Sequence, residues 1–206
     1  METKKAIVVG AGIAGIATAI RLAIKGFEVE VHEKNAFAGG KMYLIEKEGY
    51  KFDAGPSLFT QPANLEELFA LAGEDIAAYF KYESLSLACR YFFENGKKVD
   101  AYTSAEAFAS EMEEQLGEPK AHVTRYLRNA EKVYEQVGQI FLNFSLHKAK
   151  TWFHPRVLKA LSAVKLPYLF GTLDGYNRTN FTTPEAVQIF NRFATYNGSN
   201  PFSAPG

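Results

Sequence analysis

Three groups of residues in this 206-residue chain have types and spacings suited to holding a dinucleotide. The first is Gly10-Ala11-Gly12-Ile13-Ala14-Gly15, directly after the apolar run Ala6 to Val9. Glycine at its first position permits a tight turn out of a strand, and at its second lets the backbone approach a pyrophosphate with no Cβ in the way. At the third it allows a helix to pack closely on the strand. The second group is Glu33 with Lys34, the acid standing 18 residues beyond Gly15. A carboxylate there accepts from ribose hydroxyls and disfavours the extra phosphate of NADP. The third group is Gly39-Gly40-Lys41, a glycine pair that allows a second close backbone approach beside a cation able to face phosphate.

These groups need particular elements to position them. Ala6 to Val9 reads as a strand buried on both faces of a parallel sheet. Ile13 to Lys25 reads as a helix with a broad apolar face, ended by Gly26 as its C′ residue. Its N-terminus would aim unpaired N–H groups and the positive end of the helix dipole at phosphates. Glu28 to Glu33 alternates, as a second strand does. A simple NAD domain would continue with another helical crossover, whereas here Tyr43 to Phe52 reads as a hairpin following the glycine pair. That departure favours FAD over NAD.

The stretch Glu33-x5-Gly39-Gly40-Lys41 resembles the second FAD motif of the amine oxidase and phytoene desaturase flavoproteins. Many members carry arginine where Lys41 stands, so the charge is kept and the bidentate fork is lost. Phe52-Asp53-Ala54-Gly55-Pro56-Ser57-Leu58-Phe59-Thr60-x-Pro62 is similar to the phytoene desaturase branch, the bacterial carotenoid desaturases, and so is the segment from Asn191 to Pro205. The resemblance implies an α/β fold: a Rossmann-like FAD-binding domain of the glutathione-reductase/amine-oxidase type, discontinuous, with a mainly helical substrate-domain region. Residues 1–80 would form the N-terminal part of the FAD/NAD(P)-binding domain and residues 81–206 the beginning of an incomplete substrate domain. Family enzymes are more than twice as long, so the chain is expected to be truncated, with the segment that closes under the flavin outside it.

The resemblance further implies an FAD-dependent carotenoid desaturase that introduces double bonds into a long polyene by hydride transfer to flavin. The cofactor-binding residues would be Gly10, Ala11, Gly12, Ile13, Ala14, Gly15, Glu33, Lys34, Gly39, Gly40, Lys41, Asp53, Gly55, Pro56 and Ser57. Asp53 either anchors a loop near the flavin or caps a turn. No residue is nominated as a catalytic acid or base. A hydroxycarotenoid 3,4-desaturase and a carotene isomerase share the same motifs. Two readings of other classes are an NAD-linked dehydrogenase with an insertion and a non-catalytic FAD-domain fragment.

Composition narrows the partners. Basic and acidic residues balance at 23 each, which gives no electrostatic basis for nucleic-acid binding. The 17 Phe and 11 Tyr divide between ordinary core and the lining of a hydrophobic substrate tunnel, and sequence does not separate these uses. The single cysteine, Cys89, excludes an internal disulfide, fits a reducing compartment and reads as a small buried hydrophobe in a strand. His32, His122, His147 and His154 lack the spacing of metal ligands, so no metal is expected. No apolar run reaches the roughly 18 residues of a membrane span. The stretch from Leu142 to Phe170 interleaves Trp152, Phe153 and Phe170 with Lys148, Lys150, Arg156 and Lys159 and carries no acid. It reads first as a face packed on a neighbouring domain, and alternatively as a peripheral contact with an anionic membrane. The expected location is cytoplasmic, including the inner face of the cell membrane, and the oligomeric state is left open.

Coarser features complete the reading. Asn64 with Glu67 marks a helix start, and Gly73 its stop. Tyr82 to Phe93 reads as a strand that turns at Asn95-Gly96 into Lys98 to Tyr102. Thr103 and Glu106 form a capping box, a long helix runs from Lys120 to about Leu142, and shorter ones cover Pro155 to Val164 and Pro184 to Ala194. Thr183 caps the last of these, with Pro184 in its first position.

Overall fold

The computed structural model describes residues 4–56, 58–138, 140, 144–163 and 170–205. The chain divides into two compact units, Met1–Glu83 and Ser84–Gly206. Ser57, the end of the expected long helix at Leu142, and residues 164–169 of the basic aromatic stretch lie outside the described residues.

In the first unit, β1 (Lys5–Val9) and β2 (Glu28–His32) pair in parallel, Ala6 opposite Val29 and Val8 opposite Val31, joined by helix α1 (Ile13–Ile24). Helix α1 ends as its sequence predicts. Gly26 takes φ +84°, donating to Ala23 O, while Phe27 N donates to Leu22 O; this doubly bonded C-terminal turn needs a residue free to adopt a left-handed backbone. The expectation that β1 is buried on both faces is not met. Ala6 and Val8 are half-buried, whereas Ile7 and Val9 are 66% and 86% exposed. Helix α1 covers one face of the strand pair, and among the described residues nothing covers the other. The apolar run reports a strand whose second face is uncovered in this chain.

The segment after β2 forms the antiparallel hairpin β3 (Leu44–Lys47) and β4 (Tyr50–Asp53), as expected. Helix α2 (Pro62–Ala72) follows. It starts before the Asn64 signal, because Pro62 lacks a donor at a position where none is needed and its fixed φ suits a first turn. Asn64 reaches back from inside the helix to the Gln61 side chain at 2.9 Å. Gly73, at φ +74°, stops the helix as expected.

The second unit begins with the antiparallel hairpin β5 (Leu87–Phe92) and β6 (Lys98–Tyr102), turning at Asn95-Gly96 with Gly96 at φ +82°. Among the described residues the helices that follow are α3 (Ala105–Leu116), α4 (Lys120–Val133), α5 (Pro155–Ala163), α6 (Leu173–Asn180) and α7 (Pro184–Asn191). Strand β5 starts five residues later than expected. The Tyr82 ring instead packs edge-on against Phe59 in the first unit, with centroids 5.2 Å apart. The cap of α3 is Ser104, which accepts from Ala107 N. The Thr103 hydroxyl is committed elsewhere, donating to the carbonyls of Leu85 and Ser86 at 2.9 and 3.2 Å. Regular α4 ends at Val133 and passes into a wider π turn at Tyr134–Gly138. Pro184 occupies the first turn of α7 after Thr183, as predicted, but the helix stops at Asn191 and continues as a 3₁₀ turn, Arg192–Asn197.

The core of this unit joins β6, α3, α4 and α7 through Val99, Phe108, Met112, Val123, Ile189 and Phe190. Phe181 stacks on Phe190 at 4.4 Å between centroids, and the Tyr126 ring leans on both. Large aromatic groups of this kind supply much of a core's buried area. A polar chain runs beneath them. Tyr126 donates to Asn177, Asn177 to Asn191 and Asn191 to Asp174, each at 2.7–2.8 Å.

Helix α7 is capped from a distance. Thr183 makes no side-chain cap of its own. The wholly buried Glu118 instead accepts from the N–H groups of Thr182 and Thr183 at 2.8 Å and from both hydroxyls at 3.0 Å, with His122 Nδ1 on its other oxygen at 2.9 Å. Burial works against the charged form, but the Thr183 N–H, His122 and the Thr182 groups outweigh it and hold the carboxyl below the ordinary glutamate value. Because the folded group binds its proton less readily than the unfolded one, its stabilisation is complete above the ordinary value of 4.5 and is lost as pH falls through the folded pKa. Glu118→Gln is expected to lower unfolding free energy by about 1–3 kcal/mol near neutral pH and to flatten the acid limb of stability against pH, both read by denaturant titration. Asp174 and Glu185, held low chiefly by Arg178 and by Lys97, leave a residual slope.

Candidate dinucleotide site

The glycine-rich loop after β1 is built by close backbone approach. Gly10 adopts φ +98°, and its N–H donates to His32 O at 2.7 Å, carrying the strand pairing one residue past β1. A Cβ on Gly15 would lie 1.9 Å from Gly10 O, so this glycine is what lets α1 sit against the turn. Gly12 differs: a Cβ there would meet only Gly40 Cα, at 3.8 Å. Among the described residues no other atom comes within 4 Å of that position, so the space above Gly12 is open. Gly12 also begins α1 without a side-chain cap, and the first turn of the helix holds no acid. The N–H groups of that turn therefore have no side-chain acceptor from a cap and suit an anion.

The second glycine turn lies against the first. Gly39 N donates to Ala11 O at 2.8 Å, and Gly12 and Gly39 form an isolated parallel bridge. Gly39 and Gly40 both hold positive φ, +113° and +63°, and a Cβ on Gly40 would stand 3.1 Å from Gly12 Cα. A third segment completes the arrangement. A Cβ on Gly55 would lie 2.3 Å from Lys41 O, so the missing side chain of Gly55 makes room for the backbone of Lys41 and Met42. Sequence placed Gly10, Gly12, Gly15, Gly39, Gly40 and Gly55 at a cofactor; the structure packs them into one backbone cluster with Ala11 buried inside it.

Glu33 fastens this cluster. Its Oε2 accepts from Ala11 N at 2.8 Å, and its Oε1 accepts from both the backbone N–H and the side-chain amide of Asn35, at 2.9 and 2.8 Å. The Asn35 backbone N–H, then that of Ala11, hold the Glu33 carboxyl below the usual carboxylate range. The expected acid is thus a structural acceptor for the glycine loop, and three bonds still leave lone-pair capacity for a further donor. Asn35 was not singled out from sequence; its signal was an Asx residue able to fold back onto the turn after the acid.

The remaining residues are less gathered. Ile13, Ala14, Lys34, Lys41, Asp53 and Pro56 are exposed. Asp53 closes β4 opposite Leu44, with Ala54 N donating to Tyr43 O at 2.9 Å just beyond it. Among the described residues no cluster of acids, histidines and cysteine suits a metal ion. The aromatic question left open by composition also resolves in part. Phe108, Phe181 and Phe190 are core, whereas Phe59, Phe80 and Tyr82 form a half-exposed cluster of rings beyond the Gly55 loop.

Comparison with known proteins agrees with this geometry. The family described as an NAD(P)-binding Rossmann-like domain matches residues 8–74. A 1-hydroxycarotenoid 3,4-desaturase of Flavobacterium sp. (strain P99-3) is 45% identical over 205 residues, covering 98% of this chain and 41% of that protein. A 4,4′-diapolycopene oxygenase of Methylomonas sp is 31% identical over 204 residues, covering 99% and 41%, and a phytoene desaturase of Cercospora nicotianae is 32% identical over 209 residues, covering 98% and 32%. The chain spans about two-fifths of the length of the first two relatives. Among solved structures, a putrescine oxidase triple mutant aligns with a TM-score of 0.53 at 18% identity, covering 98% of this chain and 39% of its own, a likeness of fold. Similarity over nearly the whole of this chain to part of each of these relatives, together with the Rossmann-like architecture and the doubled glycine turn, makes the chain a homologue of carotenoid desaturases over about two-fifths of their length.

Proposed function

We propose that this chain carries the ADP-binding part of an FAD site and belongs to an enzyme that desaturates a carotenoid. The observation that carries the reading is the Gly39–Gly40 turn bonded to the Gly12 loop, a second backbone cradle where a simple NAD domain would continue into a helix. In this reading the first turn of α1 donates N–H groups to the pyrophosphate, the spare lone pairs of Glu33 accept from the ribose, and Lys41 supplies a cation beside the phosphates. The flavin, when bound, supplies the acceptor for a hydride taken from an allylic carbon of the polyene, with a proton lost from the neighbouring carbon. The names of the relatives, all acting on long polyenes, support an apolar substrate, and the 45% identity to a 1-hydroxycarotenoid 3,4-desaturase favours a hydroxylated one.

The two kinds of glycine separate binding from folding. Gly12→Ala, with open space at its Cβ, is expected to keep the wild-type thermal transition and lose most flavin retention. Gly15→Ala, which drives a methyl into Gly10 O, is expected to lower the transition by the equivalent of about 1–3 kcal/mol or more. Glu33→Gln should weaken FAD roughly ten- to a hundredfold, measured by titrating the purified chain with FAD. A colourless protein that binds NADH in place of FAD would overturn the assignment.

A second observation favours peripheral membrane contact. Trp152, Phe153, Leu158 and Phe170 are exposed, Phe153 and Phe170 by 79% and 84%, on a stretch that also carries Lys148, Lys150 and Arg156. Among the described residues no helix is long and apolar enough to cross a membrane, and exposed rings among cations suit an anionic surface. Phe153→Ser with Phe170→Ser is expected to reduce cosedimentation with phosphatidylserine vesicles roughly tenfold, and salt should weaken the wild type in the same assay. Equal binding to neutral vesicles would remove the electrostatic part of this reading.

A further inference from the structure

A cleft of about 470 Å³ opens in the second unit between the β5–β6 hairpin, α3, α4 and the 3₁₀ turn that follows α7. Its walls are largely apolar, with Leu127, Phe108 and Phe193 among them. Thr124, Leu127, Arg128 and Glu131 recur on α4 at spacings of three and four, the pattern of one helix stripe, and all four line the cleft.

Three residues of this cleft, Arg192, Tyr91 and Tyr196, meet at one place. The Arg192 guanidinium lies 5.6 Å from the ring centroids of both Tyr91 and Tyr196, and its Nη1 donates to Tyr91 Oη at 3.2 Å. A planar cation held over two aromatic faces loses little freedom when it takes a further partner. Its position is set from behind. Asn191, the preceding residue, is buried and hydrogen-bonded to both Asn177 and Asp174, so the backbone that presents Arg192 is anchored in the core. Among the described residues the hydrogen-bond and ring partners of the Arg192 guanidinium are these two tyrosines, so several of its five donors remain for a further partner. Burial, then the neighbouring Cys89 side chain, push the Tyr91 phenol up to about 12, so it stays protonated, with a weakly accepting sulfur as its neighbour.

An apolar cleft with a few convergent donors is the form of a small-molecule site. We propose that it receives the oxygen-bearing end, a hydroxyl or keto group, of a long apolar terpenoid, with Arg192 and Tyr91 donating to that oxygen and the Leu127 and Phe193 wall covering the first carbons. This rests on the polyene reading of the substrate and assigns the part of the chain that distinguishes an oxygenated end from a hydrocarbon one. The balance of donors over acceptors, with Arg128 and Arg192 against Glu131, selects an accepting oxygen.

The test compares geraniol, geranic acid and the hydrocarbon of the same skeleton, titrated into the purified chain by calorimetry. The wild type is expected to bind geraniol about tenfold more tightly than the hydrocarbon. Arg192→Leu should make the two equal with little change for the hydrocarbon, Tyr91→Phe should reduce the preference by part, and Tyr196→Phe, which keeps the ring, should leave it unchanged. If Arg192→Leu unfolds by circular dichroism, Arg192→Lys, which keeps the charge without the planar fork, should still reduce the preference severalfold. Equal binding of alcohol and hydrocarbon to the wild type overturns the proposal. So does a preference that survives in the Arg192 and Tyr91 variants, or geranic acid binding more tightly than geraniol once ionised. FAD retention measured on the same preparations separates the two readings: flavin retained without an alcohol preference defeats this site alone, whereas an alcohol preference in a protein that binds no flavin supports the site and defeats the cofactor assignment.

Discussion

Three stretches of backbone in the first unit come within contact distance of one another, and the dinucleotide reading depends on that approach. Gly39 bonds to Ala11, Gly40 lies against Gly12, and Gly55 accommodates the carbonyl of Lys41. Side chains would prevent it, since a Cβ at Gly15, Gly39 or Gly55 would fall within 1.9–2.4 Å of a carbonyl oxygen. Backbone packed this way needs its polar groups answered. Glu33 answers the Ala11 N–H, and the Gly39 N–H answers the Ala11 carbonyl. The acid therefore holds the loop in shape, and in the proposed reading its remaining lone-pair capacity meets the ribose.

The second unit solves a different problem with the same economy. Helix α7 starts at a proline after a threonine that makes no side-chain cap bond, and the N–H groups of Thr182 and Thr183 leading into it are satisfied by Glu118 from more than sixty residues earlier. A buried carboxylate is costly unless fully bonded; this one has five partners. The cap fixes the start of α7, the Asn177–Asn191–Asp174 chain fixes its end, and between them Phe190 is clamped in the core. Arg192 emerges directly after this anchored end, which is why a side chain exposed to solvent is still held to a definite place.

Exposure in the first unit qualifies the reading of a buried sheet. A parallel strand pair ordinarily has both faces covered, and among the described residues α1 covers one, with Ile7 and Val9 exposed. The β3–β4 hairpin likewise shows Ile45, Tyr50 and Phe52 to solvent. Apolar patterning reports which residues avoid water in the fold to which a sequence is adapted; coverage depends on which segments are at hand to supply it.

Much of the glycine-rich loop was legible in the sequence because its backbone requirements are local. A glycine that must take positive φ, a strand that must end and a helix that must begin within a few residues leave marks at fixed spacing, and Gly10, Gly15, Gly26 and Gly96 all serve as those marks indicate. The acid at Glu33 was legible for the same reason of spacing. Tertiary structure alone decided that Glu33 binds the Ala11 N–H, that Gly55 yields space to Lys41, that Glu118 caps α7, that Ser104 and not Thr103 caps α3, and that Tyr91 and Tyr196 meet Arg192. Most of these choices join residues far apart along the chain, and the Thr103 hydroxyl is lost to α3 because the distant carbonyls of Leu85 and Ser86 reach it first. Proximity in space, which no local pattern encodes, determined most of these partners.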